Sequence, residues 1–229
     1  DKVEALEMVN SRLFTLGENF LESVLLPARY PQGEERRLAE SLLGEELPAG
    51  VDPVSSGILV LNVSTVIAIY EALRFGKPLY ERVVTITGEC IAQPANLIAR
   101  VGTPVEELVR ACQGALRPPG KWIAGGPMTG VELPSLKAPV VKGMRAVVAL
   151  PVEEIRRGKV DPCIRCGLCV EACPVFLNPC MITLAVEAGR MDLASEFGVD
   201  ECVPCGNCTY VCPAHRPMLD LMMEGKARR

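Results

Sequence analysis

Val160-Asp161-Pro162-Cys163-Ile164-Arg165-Cys166-Gly167-Leu168-Cys169 returns 39 positions later, counted from Cys163 to Cys202, as Val199-Asp200-Glu201-Cys202-Val203-Pro204-Cys205-Gly206-Asn207-Cys208. Each copy continues to a fourth cysteine and a proline, Cys173-Pro174 and Cys212-Pro213, so both spell C-x2-C-x2-C-x3-C-P. Three thiolates two residues apart sit on one tight loop that curls round the corner of a cubane, so each sulfur reaches a different iron. Gly167 and Gly206, directly after the second cysteine of each run, permit the sharp turn. The fourth cysteine lies beyond the loop, and in two-cluster proteins of this spacing it ligates the other cluster. The pattern predicts two [4Fe–4S] clusters, one on Cys163, Cys166, Cys169 and Cys212, the other on Cys202, Cys205, Cys208 and Cys173. Two clusters placed this way pass electrons singly along a short path.

Other uses of cysteine fit less well. Zinc prefers two separated ligand pairs, and a triple C-x2-C-x2-C has no reason to occur twice for it. A disulfide framework suits a short secreted chain, whereas 9 of the 11 cysteines here follow 162 residues that contain only Cys90 and Cys112. Radical S-adenosylmethionine chemistry needs C-x3-C-x2-C, which is absent from this sequence. Cys180, Cys90 and Cys112 are expected to be small buried apolar side chains, Cys180 beside the first cluster. His215 is the only histidine, so this sequence has no Ser-His-Asp triad and no multi-histidine metal site. It follows the second cluster loop, where a hydrogen bond toward a cluster sulfide is the role expected of it.

The rest of the 229 residues frames this tail. Apolar residues are 49% and charged residues 23%, a globular composition, and the net charge of −4 argues against a nucleic-acid binder, which needs clustered Lys and Arg. The longest apolar run, Ile58–Tyr70, is interrupted by Asn62, Ser64 and Thr65 and is too short to span a bilayer. Asp1-Lys2-Val3-Glu4 is not the basic-then-apolar opening of a leader, and the missing initiator Met suggests part of a longer protein.

Leu6, Val9, Leu13, Leu16, Phe20 and Val24 recur at helical spacing across Gly17, which predicts one or two helices and then a strand near Val24–Leu26. Glu34–Leu43 reads as a helix ending at Gly44, and Pro48, Gly50 and Pro53 mark a loop. Gly57–Val63 reads as a strand covered on both faces, followed by a helix capped by Ser64 or Thr65 and ending near Gly76, a β-α unit. Val83–Gly88 and Asn96–Val101 read as paired strands, Pro104–Cys112 as a helix capped by Thr103, Arg117–Pro139 as loops joining short strands, and Ala146–Leu150 as a last strand. A charged helix, Val152–Lys159, leads into the tail. Met181–Ala188 and Met191–Phe197 read as two helices broken at Gly189-Arg190, which favours a helical two-cluster domain over a compact hairpin type. Gly125–Gly130 matches neither a dinucleotide fingerprint nor a P-loop and reads as a structural turn.

With these motifs in place, the chain resembles the C subunit of the Rnf-type ferredoxin:NAD+ oxidoreductase complex over essentially its whole length. The resemblance rests on Arg29-Tyr30-Pro31-Gln32-Gly33-Glu34-Glu35-Arg36, on Asn62-Val63 with Ala68-Ile69-Tyr70-Glu71-Ala72 and Gly76-Lys77-Pro78-Leu79, and on Val83–Gly88. Gly102-Thr103-Pro104-Val105, Gly125-Gly126-Pro127-Met128 and the two cysteine motifs complete it.

The resemblance implies a mixed α/β and α+β chain. Residues 1–82 would be the end of a flavin- and NADH-binding α/β domain like that of the matching complex I flavoprotein. Residues 83–150 would be a β-grasp module of the soluble-ligand-binding (SLBB) type with its Gly/Pro-rich connection, and residues 151–229 the two-[4Fe–4S] ferredoxin-like domain. It further implies a subunit on the cytoplasmic face of a membrane complex that couples electron transfer between ferredoxin and NAD+ to Na+ or H+ translocation. Its partners would be the other subunits and a ferredoxin-type iron–sulfur protein. The family's Gly-rich flavin loop and its Asn-Gly-Ala-Glu-Cys-Glu stretch are not in this sequence, so FMN and NAD(H) are expected only with an upstream region, and no catalytic residue is assigned. Two alternatives stay open. One is a soluble relative feeding another oxidoreductase, such as the cobalamin-reducing protein of bacterial microcompartments. The other is a structural adaptor whose β-grasp module binds a ligand.

Overall fold

Helical spacing of Leu6, Val9 and Leu13 is realised as α1 (Val3–Leu16) in the computed structural model, which describes residues 2–16, 20–44, 46–48, 51–155 and 159–228. The chain divides into two compact units, Asp1–Val60 and Leu61–Arg229. In the first unit α2 (Glu35–Leu43) opens on Glu34, whose carboxylate accepts the Arg37 N–H, and closes on Gly44 in the left-handed region. Gly17 and Gly50, expected at a helix break and in a loop, lie outside the described residues.

Two expected strands do not form. Residues 20–29, with Val24–Leu26 among them, are irregular, and Gly57 instead caps a short 3-10 turn, Pro53–Ser56. Leu59 and Leu61 in the apolar run that follows are exposed. An apolar run becomes a doubly covered strand only between neighbouring strands, and the described residues before Glu81 supply none. The segment expected to be α/β is therefore helical until the sheet begins.

In the second unit α3 (Val63–Phe75) ends at Gly76 as expected, but Asn62 caps it, its side chain accepting the Ser64 N–H at 3.0 Å. None of its residues is buried. The sheet then forms as alternation predicts. β1 (Glu81–Thr87) and β2 (Ala95–Arg100) pair antiparallel with Val84 opposite Leu97. α4 (Val105–Ala111) has Pro104 at its N-cap and no side-chain cap, so Thr103 does not serve; Glu106 and Glu107 in its first turn complement the helix dipole. β3 (Lys121–Ala124) and the short β4 (Val131–Glu132) pair antiparallel, while β5 (Ala146–Leu150) runs parallel to β1 and antiparallel to β3. The order is β2-β1-β5-β3-β4. Val84 and Ile86 of β1 and Val147 and Ala149 of β5 share one face with Val105, Leu108 and Val109 of α4, and Cys90 and Cys112 lie in the same core. Fully burying a side chain of Val or Ile size contributes roughly 1.5–3 kcal/mol. The expected helix over Val152–Lys159 is a single 3-10 turn, Val152–Glu154, and residues 156–158 lie outside the described residues.

The tail repeats in structure as in sequence. A loop turned by Gly167 leads to α5 (Leu168–Glu171) and then α6 (Pro179–Glu187); after α7 (Met191–Glu196), a loop turned by Gly206 leads to α8 (Asn207–Val211) and α9 (Met218–Ala227). Phe176 and His215, three residues beyond the fourth cysteine of each copy, both take left-handed backbone, with φ of 57° and 53°. α5 packs on α8 and α6 on α9, and Ile182, Val186, Val199 and Met222 form the core between them. Among the described residues no helix is long and apolar enough to cross a membrane.

Candidate metal centre

The paired loops bring the eight motif cysteines to two hollows. One is lined by Cys163, Cys166, Cys169 and Cys212, the other by Cys202, Cys205, Cys208 and Cys173. Each hollow thus has three thiols from one copy of the motif and the fourth from the other copy. Hydrogen bonds between the two copies reinforce the exchange: the Asp161 N–H donates to the Ala214 carbonyl at 3.0 Å, and the Asn207 side-chain amide donates to the Ala172 carbonyl at 3.2 Å. Among the described residues no three Cys, His, Asp or Glu side chains converge as ligands of a single ion.

The donor chemistry fits an iron–sulfur group. Four motif thiols face each hollow, and backbone N–H groups already point at two of the sulfurs, Leu177 N–H to Cys173 Sγ at 3.3 Å and Arg165 N–H to Cys163 Sγ at 3.4 Å. Hydrogen bonds of this kind stabilise negative charge on sulfur. The Arg165 N–H, and after it the Cys180 thiol, hold Cys163 below the ordinary thiol value. Burial pushes the Cys202 thiol up to about 12 and Cys208 up to about 11, so a metal entering the second hollow must displace protons. Of the eight cysteines only Cys166 is exposed, whereas Cys169, Cys205, Cys208 and Cys212 are buried.

Cys180, at the start of α6, lines the first hollow as a fifth thiol, and Cys90 and Cys112 are buried in the sheet core. His215 is not among the residues lining either hollow, and its Nδ1 is buried without a partner among the described residues. Two participants escape the sequence reading. The carbonyl of Met128, in the turn between β3 and β4, lies against the second loop, 2.9 Å from where a Cβ on Gly206 would sit. Arg216, 6% exposed, lines the first hollow.

Comparison with known proteins agrees with this geometry. Residues 159–216 match the 4Fe-4S dicluster domain family, and residues 1–71 match the Nuo51 FMN-binding domain family. The C subunit of the ion-translocating oxidoreductase complex of Rhodobacter capsulatus is 38% identical over 199 residues, 87% of this chain and 38% of that protein. Over those residues the chain is a homologue of that C subunit. The C subunit of the proton-translocating ferredoxin:NAD(+) oxidoreductase complex of Clostridium ljungdahlii is 41% identical over 176 residues, 77% of this chain and 38% of its own length. The Na(+)-translocating counterpart from Acetobacterium woodii is 39% identical over 159 residues, covering 69% of this chain and 36% of that protein. The chain therefore spans little more than a third of these three relatives. The described part of residues 1–71 is α1, α2, most of α3 and their connections, with Phe14 91% exposed and no Gly-rich phosphate loop, so no residue here is assigned to a flavin.

Proposed function

We propose that this chain is the electron-relay portion of a C subunit, in which Cys163, Cys166, Cys169 and Cys212 hold one [4Fe–4S] cluster and Cys202, Cys205, Cys208 and Cys173 hold the other. The observation that carries the reading is the reciprocal lining of the two hollows, three thiols from one motif and one from its twin. A bound [4Fe–4S] cluster supplies one-electron redox chemistry. The chain's residues fix the two sites side by side, exclude water through the apolar packing of α6 on α9, and leave the first site open at Cys166, where single electrons enter or leave.

The names of the relatives support assembly into a membrane-bound ferredoxin:NAD+ oxidoreductase coupled to Na+ or H+ movement. The partners would be its other subunits and a ferredoxin-type protein, with this subunit peripheral on the cytoplasmic face. FMN and NAD(H) would act with an upstream region. We assign residues 1–82 to the flavoprotein-like segment, 83–150 to the β-grasp (SLBB-like) module and 151–229 to the ferredoxin-like domain. The strand order β2-β1-β5-β3-β4, with β1 and β5 parallel neighbours inside the sheet and α4 packed across them, supports the β-grasp assignment.

Anaerobic purification with iron counting and EPR of the dithionite-reduced chain tests the reading. About eight irons and two reduced-cluster signals are expected. Cys173→Ser should erase the same signal as Cys202→Ser, although Cys173 belongs to the first motif. If it erases the signal lost in Cys163→Ser, the crossed assignment is wrong.

A further inference from the structure

The two halves of the tail superpose in sequence at a fixed offset of 39, which sets Arg216 against Leu177 and Cys180 against Leu219. Leu177 is an apolar core residue. Arg216 is equally buried, yet it carries a guanidinium. A buried charge is costly unless it is paired and its N–H groups are taken up. Its one ion pair among the described residues, Nη2 to Glu187 Oε2 at 2.8 Å, goes to a carboxylate that is 41% exposed, and its Nε–H is buried with no partner among them. The side chain lines the first hollow, not the second, and its charge acts on Cys163 and Cys180. A positive group with a spare donor is thus held where negative charge is expected.

Resting on the cluster reading above, we propose that Arg216 is a positioning residue that sets the reduction potential of the first site, its buried charge and free Nε–H favouring the reduced state, whereas the cation beside the second site, half-buried Lys226, already donates its Nζ–H to the Cys202 carbonyl at 2.6 Å. One-electron reduction adds one negative charge to the hollow, and a fixed cation in a water-poor wall stabilises the more negative state. Glu187 partly offsets that field from the solvent side.

The test is an EPR-monitored redox titration of the anaerobically loaded full chain, with Cys163→Ser and Cys202→Ser identifying which signal belongs to which site. In Arg216→Gln the first-site potential falls by at least tenfold in the reduction equilibrium, about 59 mV for one electron, the second stays unchanged, and Arg216→Lys restores most of the shift. Glu187→Gln shifts the first site the opposite way, which a purely structural role for Arg216 does not produce. Unchanged potentials in a fully loaded Arg216→Gln chain overturn the inference. If Arg216→Gln loads less iron than wild type, Glu187→Gln decides: a raised first-site potential upholds the inference and an unchanged one sinks it. A wild-type chain with far fewer than about eight irons defeats the cluster reading and this inference with it, whereas unchanged potentials in loaded protein defeat the inference alone.

Discussion

The Sγ atoms of Cys163 and Cys180 lie 3.4 Å apart in the wall of the first hollow. The proposed assignment gives each cluster four motif thiols and makes Cys180 a neighbour of the first. Burial, and next the Cys163 sulfur, push its thiol up to about 11, which keeps it a protonated S–H donor at neutral pH. Cys180→Ala should therefore keep about eight irons and both EPR signals, whereas Cys163→Ala loses the first signal. Disappearance of that signal in Cys180→Ala would make Cys180 a ligand.

Gly167 and Gly206 occupy the same place in the repeat, with φ of 82° and 81°, but their surroundings differ. A Cβ on Gly167 meets nothing within 4 Å, while one on Gly206 strikes the Met128 carbonyl at 2.9 Å. Gly167→Ala should cost only the left-handed backbone penalty, about 1–2 kcal/mol. Gly206→Ala should cost about 1–3 kcal/mol more, since backbone has to move. Urea unfolding of the two loaded variants measures the difference, and equal costs would show that the Met128 contact contributes nothing.

Exposure is also unequal between the sites. Because Cys166 is exposed and the second set has no exposed cysteine, brief exposure to air should bleach the first signal well before the second. EPR spectra taken at intervals after aeration, with Cys163→Ser as the reference for the first site, give the order of loss.

The sheet core holds a pH effect. Burial keeps the Cys112 thiol above its ordinary value of 9.0, so the folded chain retains a proton that the unfolded chain gives up. Stability from this group is present below pH 9 and is lost as pH rises above it. Urea midpoints should fall less between roughly pH 8 and pH 10 in Cys112→Ala than in wild type, and iodoacetamide near the lower of these should leave Cys112 unmodified until the chain unfolds.

The cysteine spacing and the β1, β2 and β5 strands were legible because each depends on a short-range pattern: ligand spacing in one case, alternation in the other. The Gly57–Val63 run was misleading for a physical reason. Its apolar character is shared by a buried strand and by a segment awaiting cover, and only neighbouring strands distinguish the two. Thr103 looked like a cap, but Pro104 occupies the N-cap and no side chain caps α4. The Met128–Gly206 approach joins residues 78 positions apart, which no local pattern encodes. Arg216 had a signal in the sequence, a charged residue facing a leucine across the repeat, and its burial gave that signal meaning.

The exchange of Cys173 and Cys212 between the two halves has an ancestral corollary. A protein with one copy of the motif would own three wall thiols and one that reaches outward, so it could complete a site only by embracing an identical twin. Duplication and fusion of such a gene would turn that symmetric dimer into one chain and free each half to diverge. The leucine and arginine at positions 177 and 216 are one place where the two halves now differ, apolar in one and charged in the other.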